Sequence, residues 1–269
     1  MNEISIKLQG GLGNYMFQIA CVYSYSMKYN KKSFFTINDS VSVHKNIEIY
    51  KSNIFNKINL VNDKKIAEKL TIYNEPHFHY TQIPEISGNV YLNGYFQSEK
   101  YFEGFNDEIK QLFLPDLLTV EQLKKLALNK YNVDLTLTNT CSIHIRRGDY
   151  LMYPHHHPVQ TMNYYMKAIK LLPKDSVFLI FSDDIMWCKE NFPNIPEKFI
   201  FIDNQSDYED LMLMTLCKNN IICNSTFSWW SAWLNLHEDK IVIAPSKWFG
   251  SAYANNNTKD LYCAKWILI

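Results

Sequence analysis

The stretch Glu3-Ile4-Ser5-Ile6-Lys7-Leu8-Gln9-Gly10-Gly11-Leu12-Gly13-Asn14 alternates apolar and polar residues and then runs into a glycine-rich turn. Alternation with a period of two indicates a strand, and the apolar segment 15–25 that follows has helical spacing. Three of the eight glycines of the chain fall in this turn. Such clustering of a permissive residue predicts a positive φ or a close backbone approach. A strand, a glycine turn and a helix in this order predict an α/β domain.

The second half of the chain continues this alternation. Five short apolar runs predict strands at 141–146, 177–181, 199–202, 221–223 and 241–244. The segments between them predict helices at 161–172, 185–191, 207–218 and 228–237. Strands that alternate with helices predict a doubly wound parallel sheet. In the first half, strands are predicted at 33–37 and 90–96 and a helix at 119–130, whereas the polar stretch 40–90 shows no clear pattern.

The composition is that of a globular protein, and it has no excess of basic residues. Of 269 residues, 47% are hydrophobic and 20% charged, which suits a sizeable core. The formal net charge is zero, whereas nucleic-acid-binding domains are usually basic, so no nucleic-acid partner is expected. No pair of cysteines has CxxC spacing, and all six are predicted to be reduced thiols, mostly buried: Cys21, Cys141, Cys188, Cys217, Cys223 and Cys263.

The sequence predicts a cytoplasmic protein. Its first residues alternate like a strand and lack the apolar block of a secretory signal. No apolar stretch approaches the roughly 18 residues that a membrane-spanning helix needs. Peripheral association with the inner face of the membrane is compatible with the same features.

Arg146 and Arg147 are the only arginines among 27 basic residues, and they are adjacent. Arginine differs from lysine in its planar fork of five donors, which binds phosphate or carboxylate through two hydrogen bonds. One interpretation of the pair is a structural ion pair. The other is a clamp for the anionic part of a phosphorylated ligand.

Polar residues follow four of the five predicted strands of the second half. The strand ends are 144–149, 182–184, 203–204 and 224–228. Because ligands of open α/β sheets bind outside the carboxyl ends of the strands, we expect these ends to form one site. Arg146 and Arg147 would bind a nucleoside diphosphate there. His144 shares a face of its strand with Arg146, since side chains alternate.

Two further pairs have both a functional and a structural interpretation. Ser225 and Thr226 precede a helix whose first amides favour an anion, but they also suit a plain helix cap. Asp183 or Asp184 could accept hydrogen bonds from ribose hydroxyls or a purine edge, but could equally cap the helix 185–191. The sequence has no P-loop, no dinucleotide fingerprint and no DxD pair at a credible strand end. Because the two arginines can neutralise a diphosphate, no metal is expected. The run His155–His157 is predicted to be an exposed loop.

Several segments together resemble the bacterial-type α-1,2-fucosyltransferases of glycosyltransferase family 11. The resemblance covers residues from about 4 to 250 and departs from the usual family residues at Tyr15, Ile19 and Ser231. The segments that carry it are Gly10–Gln18, Gly94–Phe102, His144–Tyr150, Phe181–Asp184, Asn224–Asn235 and Pro245–Phe249.

This resemblance implies a GT-B fold, in which two Rossmann-like domains face a cleft. The domains would be 1–135, on the acceptor side, and 136–269, which would bind the GDP-sugar. It also implies inverting transfer of L-fucose from GDP-L-fucose to the 2-hydroxyl of a galactoside in a glycan, with neither metal nor cofactor. A fucosyltransferase of another linkage or with another GDP-sugar is the alternative within enzymes, and a non-catalytic carbohydrate- or nucleotide-binding protein is the alternative outside them.

The resemblance also implies roles for individual residues. Arg146 would hold the β-phosphate with support from Arg147, and His144 and Asp184 would contact the guanosine. Ser225, Thr226 and Phe227 would line the diphosphate and base pocket. Facing fucose and acceptor would be Gly11, Gly13 and Asn14.

The residues leave the catalytic base open. Asp149 is the candidate within the arginine motif, with orientation of an arginine as its alternative role, and Glu99 is a weaker candidate. An oxocarbenium-like route with late proton transfer would need no strong base.

Overall fold

The computed structural model of the protein describes residues 1–37, 46–62, 70–193, 195 and 198–269. The predicted polar stretch 40–90 therefore lies partly outside the described residues. Contacts divide the chain into two compact units. Unit 1 comprises Met1–Leu114 and Asn256–Cys263, and unit 2 comprises Pro115–Asn255 and Ala264–Ile269.

The division between the units falls before the helix Leu117–Tyr131, whereas the sequence placed the domain boundary after residue 135. This helix packs with unit 2. The Tyr131 hydroxyl donates to the carbonyl oxygen of Asp203 at 2.8 Å, and the Lys130 ammonium donates to the same oxygen at 2.7 Å. The end of the helix is set by Asn132, whose φ of 55° is left-handed.

The described residues of unit 1 form a parallel sheet and two α-helices. In chain order its elements are β1 (Glu3–Ile6), α1 (Leu12–Lys28), β2 (Lys32–Ser33), β3 (Phe35–Thr36), β4 (Leu60–Val61), β5 (Leu70–Asn74), β6 (Asn89–Asn93) and α2 (Asn106–Phe113). The main sheet has the order β2-β1-β6-β5, and β3 pairs separately with β4. All these pairs are parallel, so the carboxyl ends of β1, β5 and β6 lie at one edge.

Unit 2 contains a six-stranded sheet among its described residues. In chain order its elements are α3 (Leu117–Tyr131), β7 (Thr140–Ile145), α4 (Gly148–Met152), α5 (Met162–Ile169), β8 (Val177–Ser182), α6 (Ile185–Asn191), β9 (Phe199–Phe201), α7 (Asp207–Leu216), β10 (Asn219–Ile221), α8 (Thr226–Leu234), β11 (Val242–Ala244) and β12 (Ile267–Leu268). The order is β12-β11-β10-β7-β8-β9, and every pair is parallel. This confirms the predicted doubly wound sheet.

The order of the strands in unit 2 defines where a ligand would bind. The first strand of this sheet in chain order is β7, which lies in its middle. The next two strands, β8 and β9, lie on one side of β7, and β10 lies on its other side. The direction of winding therefore reverses between β7 and β10. Such a reversal leaves a crevice at the carboxyl ends of the two strands, which is the usual ligand site of this architecture.

The core of unit 2 explains why its strands are continuous apolar runs. All residues of β7 are buried, because helices cover parallel sheets on both faces. Tyr165 of α5 joins the strand residues Ile143 and Ile180 in one cluster. Trp229 and Trp230 of α8 are fully buried. These side chains fix the frame that carries the polar strand ends.

Five of the six cysteines are buried and Cys263 is half-buried, so most of the thiols are buried as predicted. Among the described residues, no helix combines the length and the apolar character needed to cross a bilayer.

Candidate active site

The two arginines lie at the carboxyl edge of the sheet of unit 2, beside the reversal point. Arg146 and Arg147 directly follow β7, and the neighbouring strand β8 leads to Asp183 and Asp184. The neighbour on the other side, β10, leads into α8. Three of the four predicted strand ends therefore follow neighbouring strands at one edge.

Arg146 is held by two carboxylates. Its Nε donates to Oδ1 of Asp149 at 2.8 Å, and its Nη2 lies 2.7 Å from the same oxygen. Oδ2 of Asp183 lies 3.2 Å from Nε. Burial disfavours the charged guanidinium, but the two carboxylates outweigh this effect and raise the pKa of Arg146. Arg146 is therefore a fixed cation, and 28% of its side chain remains exposed.

The side chain of Arg147 is held by one carboxylate and one aromatic ring. Its Nε donates to Oδ2 of Asp184 at 2.9 Å, and its Cζ lies 3.9 Å from the centre of the Trp187 ring. Stacking on an indole face fixes the plane of a guanidinium. Only 15% of the Arg147 side chain is exposed, so Arg146 is the more accessible of the two arginines.

The arginine pair is therefore not an isolated positive patch. The two guanidinium groups form ion pairs with three carboxylates, those of Asp149, Asp183 and Asp184. The ion pairs of the structural interpretation are thus present. They do not exclude a clamp, because each guanidinium has five N–H donors. Asp184 binds the Arg147 side chain through Nε, and Asp183 accepts from the Arg147 backbone N–H, so these two contacts leave the Nη hydrogens for a ligand.

The beginning of α8 is the second part of the site. Ser225, Thr226 and Phe227 are half-buried, although the residues on either side of them are buried. Ser225 is the N-cap of α8, yet its side chain makes no capping hydrogen bond, so the plain-cap interpretation does not account for its hydroxyl. The first amides of a helix carry a partial positive charge and bind anions.

Asn224 fixes the turn that leads into α8, and the sequence analysis gave it no separate role. Its Nδ2 donates to the carbonyl oxygens of Pro158 and Trp248, both at 3.0 Å. Its Oδ1 accepts from Nε2 of Gln160 at 3.0 Å. Its own carbonyl oxygen accepts from the Tyr150 hydroxyl at 2.9 Å. This buried amide therefore connects the end of β10 to three other segments.

His144 lies beneath the arginines with only 6% of its surface exposed. Its Nδ1 is 3.2 Å from Sγ of Cys223, and its ring centre is 5.3 Å from that of Phe227. Burial, with a smaller contribution from Arg146, lowers the pKa of His144 to about 3. The imidazole is therefore neutral at physiological pH. Its predicted contact with guanosine stays a prediction.

Both carboxylate oxygens of Asp184 bind other residues of unit 2. Oδ1 accepts from the backbone N–H of Trp187 at 3.2 Å and so caps α6, while Oδ2 binds Arg147. The capping interpretation is therefore correct for Asp184, and contact with a nucleoside remains a prediction beside it.

The fourth predicted strand end does not join the arginines. Asp203, after β9, lies 3.1 Å from Nζ of Lys189 and 3.8 Å from Nζ of Lys130. The reason is the strand order, since β9 is the outer strand, separated from β7 by β8.

The histidine run is less exposed than predicted. His155 is exposed, but His156 and His157 are half-buried. The His157 ring stacks on Tyr150 with centres 5.0 Å apart. A Cβ added at Gly250 would lie 2.3 Å from the carbonyl oxygen of His155, so a glycine is needed where this loop packs. The loop therefore packs against Tyr150 of α4 and against Gly250.

In unit 1, the glycine turn connects β1 to α1. Gly10 has a φ of +88°, which confirms the positive φ expected of the glycine cluster, and a Cβ there would clash with the Asn14 side chain. Gly11 is the N-cap of α1, and Gly13 is buried in its first turn. Oδ1 of Asn14 accepts from Nε2 of Gln97 at 3.0 Å. Their contact with fucose or acceptor stays a prediction.

The two candidate bases have different surroundings. Oδ1 of Asp149 faces the Arg146 guanidinium, which agrees with the orienting role considered from the sequence. Glu99 begins a short 3-10 helix and is half-buried. The three departures from the usual family residues, at Tyr15, Ile19 and Ser231, are all fully buried, so they alter the core.

Two partners of the arginines were not predicted from the sequence. Asp183 was named with Asp184 as a nucleoside contact or a helix cap, and Trp187 was not named. Their position directly after β8 and in the first turn of α6 was the available signal. Their pairing with Arg146 and Arg147 depends on β8 lying next to β7.

Comparison with known proteins gives the family. The model of glycosyl transferase family 11 matches residues 1–269. The O-antigen biosynthesis glycosyltransferase WbnK of Escherichia coli is 33% identical over 97% of this chain and 98% of its own. The α-1,2-colitosyltransferase of Escherichia coli is 30% identical over 100% of this chain and 99% of its own. A galactoside 2-α-L-fucosyltransferase of Caenorhabditis elegans is 27% identical over 96% of this chain and 71% of its own.

Solved structures give the fold. The α-1,6-fucosyltransferase NodZ, soaked with GDP-fucose, aligns with a TM-score of 0.55 over 87% of this chain and 93% of its own, at 13% identity. NodZ from Bradyrhizobium aligns with a TM-score of 0.54 over 86% and 92%, at 12% identity. The fold is GT-B, as the resemblance implied. With matching sequence over its whole length, the chain belongs to glycosyltransferase family 11.

Proposed function

We propose that this glycosyltransferase transfers L-fucose from GDP-L-fucose to the 2-hydroxyl of a galactoside in a glycan. The transfer inverts the anomeric carbon of fucose and needs neither a metal ion nor a cofactor. One observation carries the donor site: Arg146 and Arg147 lie at the carboxyl end of β7, beside the beginning of α8. The relatives named as α-1,2-fucosyltransferase and α-1,2-colitosyltransferase support the linkage.

Arg146 stabilises the leaving group. When the bond between fucose and phosphate breaks, negative charge grows on the β-phosphate of GDP. A donor that is fixed in advance stabilises this charge without reorganisation, and such donors lower barriers most effectively. Asp149 and Asp183 fix Arg146, and Trp187 fixes Arg147. Because two guanidinium groups supply the positive charge, a divalent cation is dispensable in this proposal.

The remaining donor-site residues surround the nucleotide. Ser225, Thr226 and the first amides of α8 bind the diphosphate, and Phe227 lines the base pocket. His144 is neutral, so it contacts guanosine through a hydrogen bond and its ring face. Asp184 accepts from the nucleoside while it caps α6. Gly11, Gly13 and Asn14 of unit 1 contact fucose and the acceptor.

The acceptor and the place of action are proposed from the relatives. One of them is named for O-antigen biosynthesis, so a galactose-containing precursor of a surface polysaccharide is the proposed acceptor. The reaction takes place in the cytoplasm, with the enzyme at the inner face of the membrane where lipid-linked glycans would be available.

The second candidate donor is the GDP derivative of colitose, which is fucose without its 3-hydroxyl. The similarity to an α-1,2-colitosyltransferase over the whole chain favours it specifically. An enzyme that hydrogen-bonds the 3-hydroxyl discriminates strongly against the deoxy sugar, because a buried polar group would lose its partner. Competition between the two GDP-sugars at equal concentration therefore separates the candidates.

The test is incubation with GDP-fucose and a panel of β-galactosides, with the linkage determined by NMR. We expect α-1,2-linked fucose in reactions that contain EDTA as well as in those that do not. Transfer to another hydroxyl, or loss of activity in EDTA, would contradict the proposal. In parallel, GDP should raise the melting temperature in the presence of EDTA, whereas a shift with free sugars alone would indicate a carbohydrate-binding protein.

A further inference from the structure

A carboxylate in unit 1 lies at the same sheet edge as the glycine turn. Glu75 directly follows β5, and its backbone N–H donates to the carbonyl oxygen of Asn93, the last residue of β6. The carboxyl ends of β1, β5 and β6 share one edge, because the strands are parallel. In open α/β sheets that edge binds ligands. Glu75 therefore lies at the edge where ligands of such sheets bind.

The segment that faces Glu75 is tied to the glycine turn by side-chain amides. The Gly94 carbonyl oxygen accepts from Nε2 of Gln18 at 3.2 Å and from Nε2 of Gln9 at 3.5 Å. Three residues later, Gln97 donates to Asn14 at 3.0 Å. The position of Glu75 is therefore defined relative to Asn14, the residue proposed to contact the acceptor.

The backbone around Gly94 is shaped to receive the carboxylate. The N–H of Tyr95 donates to Oε2 at 2.7 Å, and the N–H of Phe96 donates to Oε1 at 3.0 Å. A Cβ added at Gly94 would lie 2.6 Å from Oε2, so only glycine admits this approach. Phe96 has a φ of 53°, which is strained for a bulky residue. Such strain persists where the surrounding structure requires it, and it is frequent at active sites.

The chemistry of Glu75 suits a proton acceptor. Three donors reach its carboxylate, namely the two backbone amides and the Tyr101 hydroxyl. The Phe96 amide also lies 3.1 Å from Oε2, and a carboxylate has about four acceptor positions, one more than the number of donor groups that reach it. Among the described residues, no lysine or arginine is paired with it. Burial outweighs the three hydrogen bonds and raises the pKa of Glu75 to about 7. A base is most effective when its pKa is near the working pH.

We propose that Glu75 is the general base of the transfer, an inference that rests on the proposed function. The acceptor oxygen forms a bond to the anomeric carbon of the donor sugar, and the bond from that carbon to the β-phosphate oxygen breaks. The electron pair of the broken bond leaves with GDP. The proton of the acceptor hydroxyl passes to a carboxylate oxygen of Glu75 and from there to solvent. Asp149, whose Oδ1 is bound to Arg146, is then a positioning residue.

Glu75→Gln is the direct test, with Glu85→Gln as the matched control because Glu85 is an exposed residue of the same unit. In Glu75→Gln we expect kcat to fall by at least about 100-fold while GDP still raises the melting temperature, because the donor site is unchanged. Glu85→Gln should behave like the wild type. A Glu75→Gln protein that keeps more than a tenth of the wild-type kcat overturns the proposal, as does a 100-fold loss in Glu99→Gln with Glu75→Gln active.

Tyr101→Phe tests the same proposal without removing the carboxylate. The Tyr101 hydrogen bond lowers the pKa of Glu75, so its loss should raise that pKa further. Since the base must be deprotonated, the acid limb of the profile of kcat/KM against pH should move up by about one unit. An unmoved limb overturns the proposal. Absence of transfer by the wild-type protein with any GDP-sugar is a different result, which overturns the proposed function first.

Discussion

The two sheets present their ionisable groups in opposite ways at their carboxyl edges. In unit 2, charge is balanced by charge, since Arg146 and Arg147 are fixed by carboxylates. In unit 1, Glu75 is held by backbone amides and a tyrosine hydroxyl. The first arrangement keeps cations permanently charged for a leaving group. The second leaves a carboxyl group free to gain or lose a proton. A group that stabilises charge is thus paired with opposite charges, whereas a group that transfers a proton is held by neutral hydrogen-bond donors.

The buried titrating groups of the two edges also affect stability in opposite directions. The pKa of Glu75 is raised to about 7, so the folded state binds more protons than the unfolded state between about pH 4.5 and 7. Stability from this group therefore falls as the pH rises through that window. The pKa of His144 is lowered to about 3, so the unfolded state binds more protons between about pH 3 and 6.5. Stability from His144 therefore falls as the pH drops through that window.

The largest effect is expected for Arg146→Lys, which tests the charged edge of unit 2. Lysine keeps one positive charge but loses the fork that binds Asp149 and a phosphate together. We expect kcat to fall by about 100- to 1,000-fold, as for the loss of one fixed donor to a developing charge. Arg147→Lys should cost less, because Arg147 is the less exposed arginine. Turnover like that of the wild type in Arg146→Lys would contradict the clamp.

His144→Asn tests the opposed pH dependence. Asparagine keeps a polar atom near Cys223 and removes the titrating ring. From pH 7 to pH 5 the wild-type protein should lose about 2 kcal/mol of unfolding free energy more than the variant does, as measured by urea denaturation. Over the same pH range, the wild-type protein should gain unfolding free energy relative to Glu75→Gln. Parallel pH curves for wild type and His144→Asn would show that the pKa of His144 is the same in the folded and the unfolded state.

Asp149→Asn separates positioning from proton transfer. If Asp149 orients Arg146, the loss of its charge should reduce kcat about tenfold, equivalent to about 1.4 kcal/mol, and leave the pH profile unchanged. Asp239→Asn, at an exposed site of the same unit, is the control. A loss of 100-fold or more together with disappearance of the acid limb would make Asp149 the base and would set Glu75 aside.

Gly10→Ala tests the edge of unit 1 through its backbone. Gly10 and Gly88 both have a positive φ, but an added Cβ clashes with Asn14 at Gly10 and meets nothing within 4 Å at Gly88. Gly88→Ala should therefore cost only the backbone strain, about 1 kcal/mol. Gly10→Ala should cost about 1 kcal/mol more and raise the KM for the acceptor. Equal effects of the two substitutions would mean that Asn14 moves freely.

The sequence predicted the elements of unit 2 because its local and global signals agree. The helix 185–191 was placed at the bounds of α6, since an apolar strand precedes it and Asp184 suits a cap. The positions of Arg146, Arg147 and Ser225 at strand ends follow from the same alternation. The ion pair of Arg146 with Asp183 could not be predicted, because it depends on the order of strands in the sheet.

Unit 1 was less predictable for a physical reason. Glu75 lies in a polar stretch without periodicity, and β5 is exposed along most of its length, so no apolar pattern marks it. The environment of Glu75 comes from Phe96 and Tyr101, which are more than 20 residues away in sequence. The boundary at Leu114 was missed because helix α3 shows no sign in its own sequence of which unit it packs against.

The stacking of Arg147 on Trp187 gives the protein a built-in optical signal. Indole emission depends on the charges next to the ring, and here a guanidinium carbon lies 3.9 Å from its centre. A phosphate that draws this guanidinium away should change the fluorescence of Trp187, while Trp229 and Trp230 remain buried in the core. Donor binding could then be followed in real time without a label, and Trp187→Phe would identify the source of the signal.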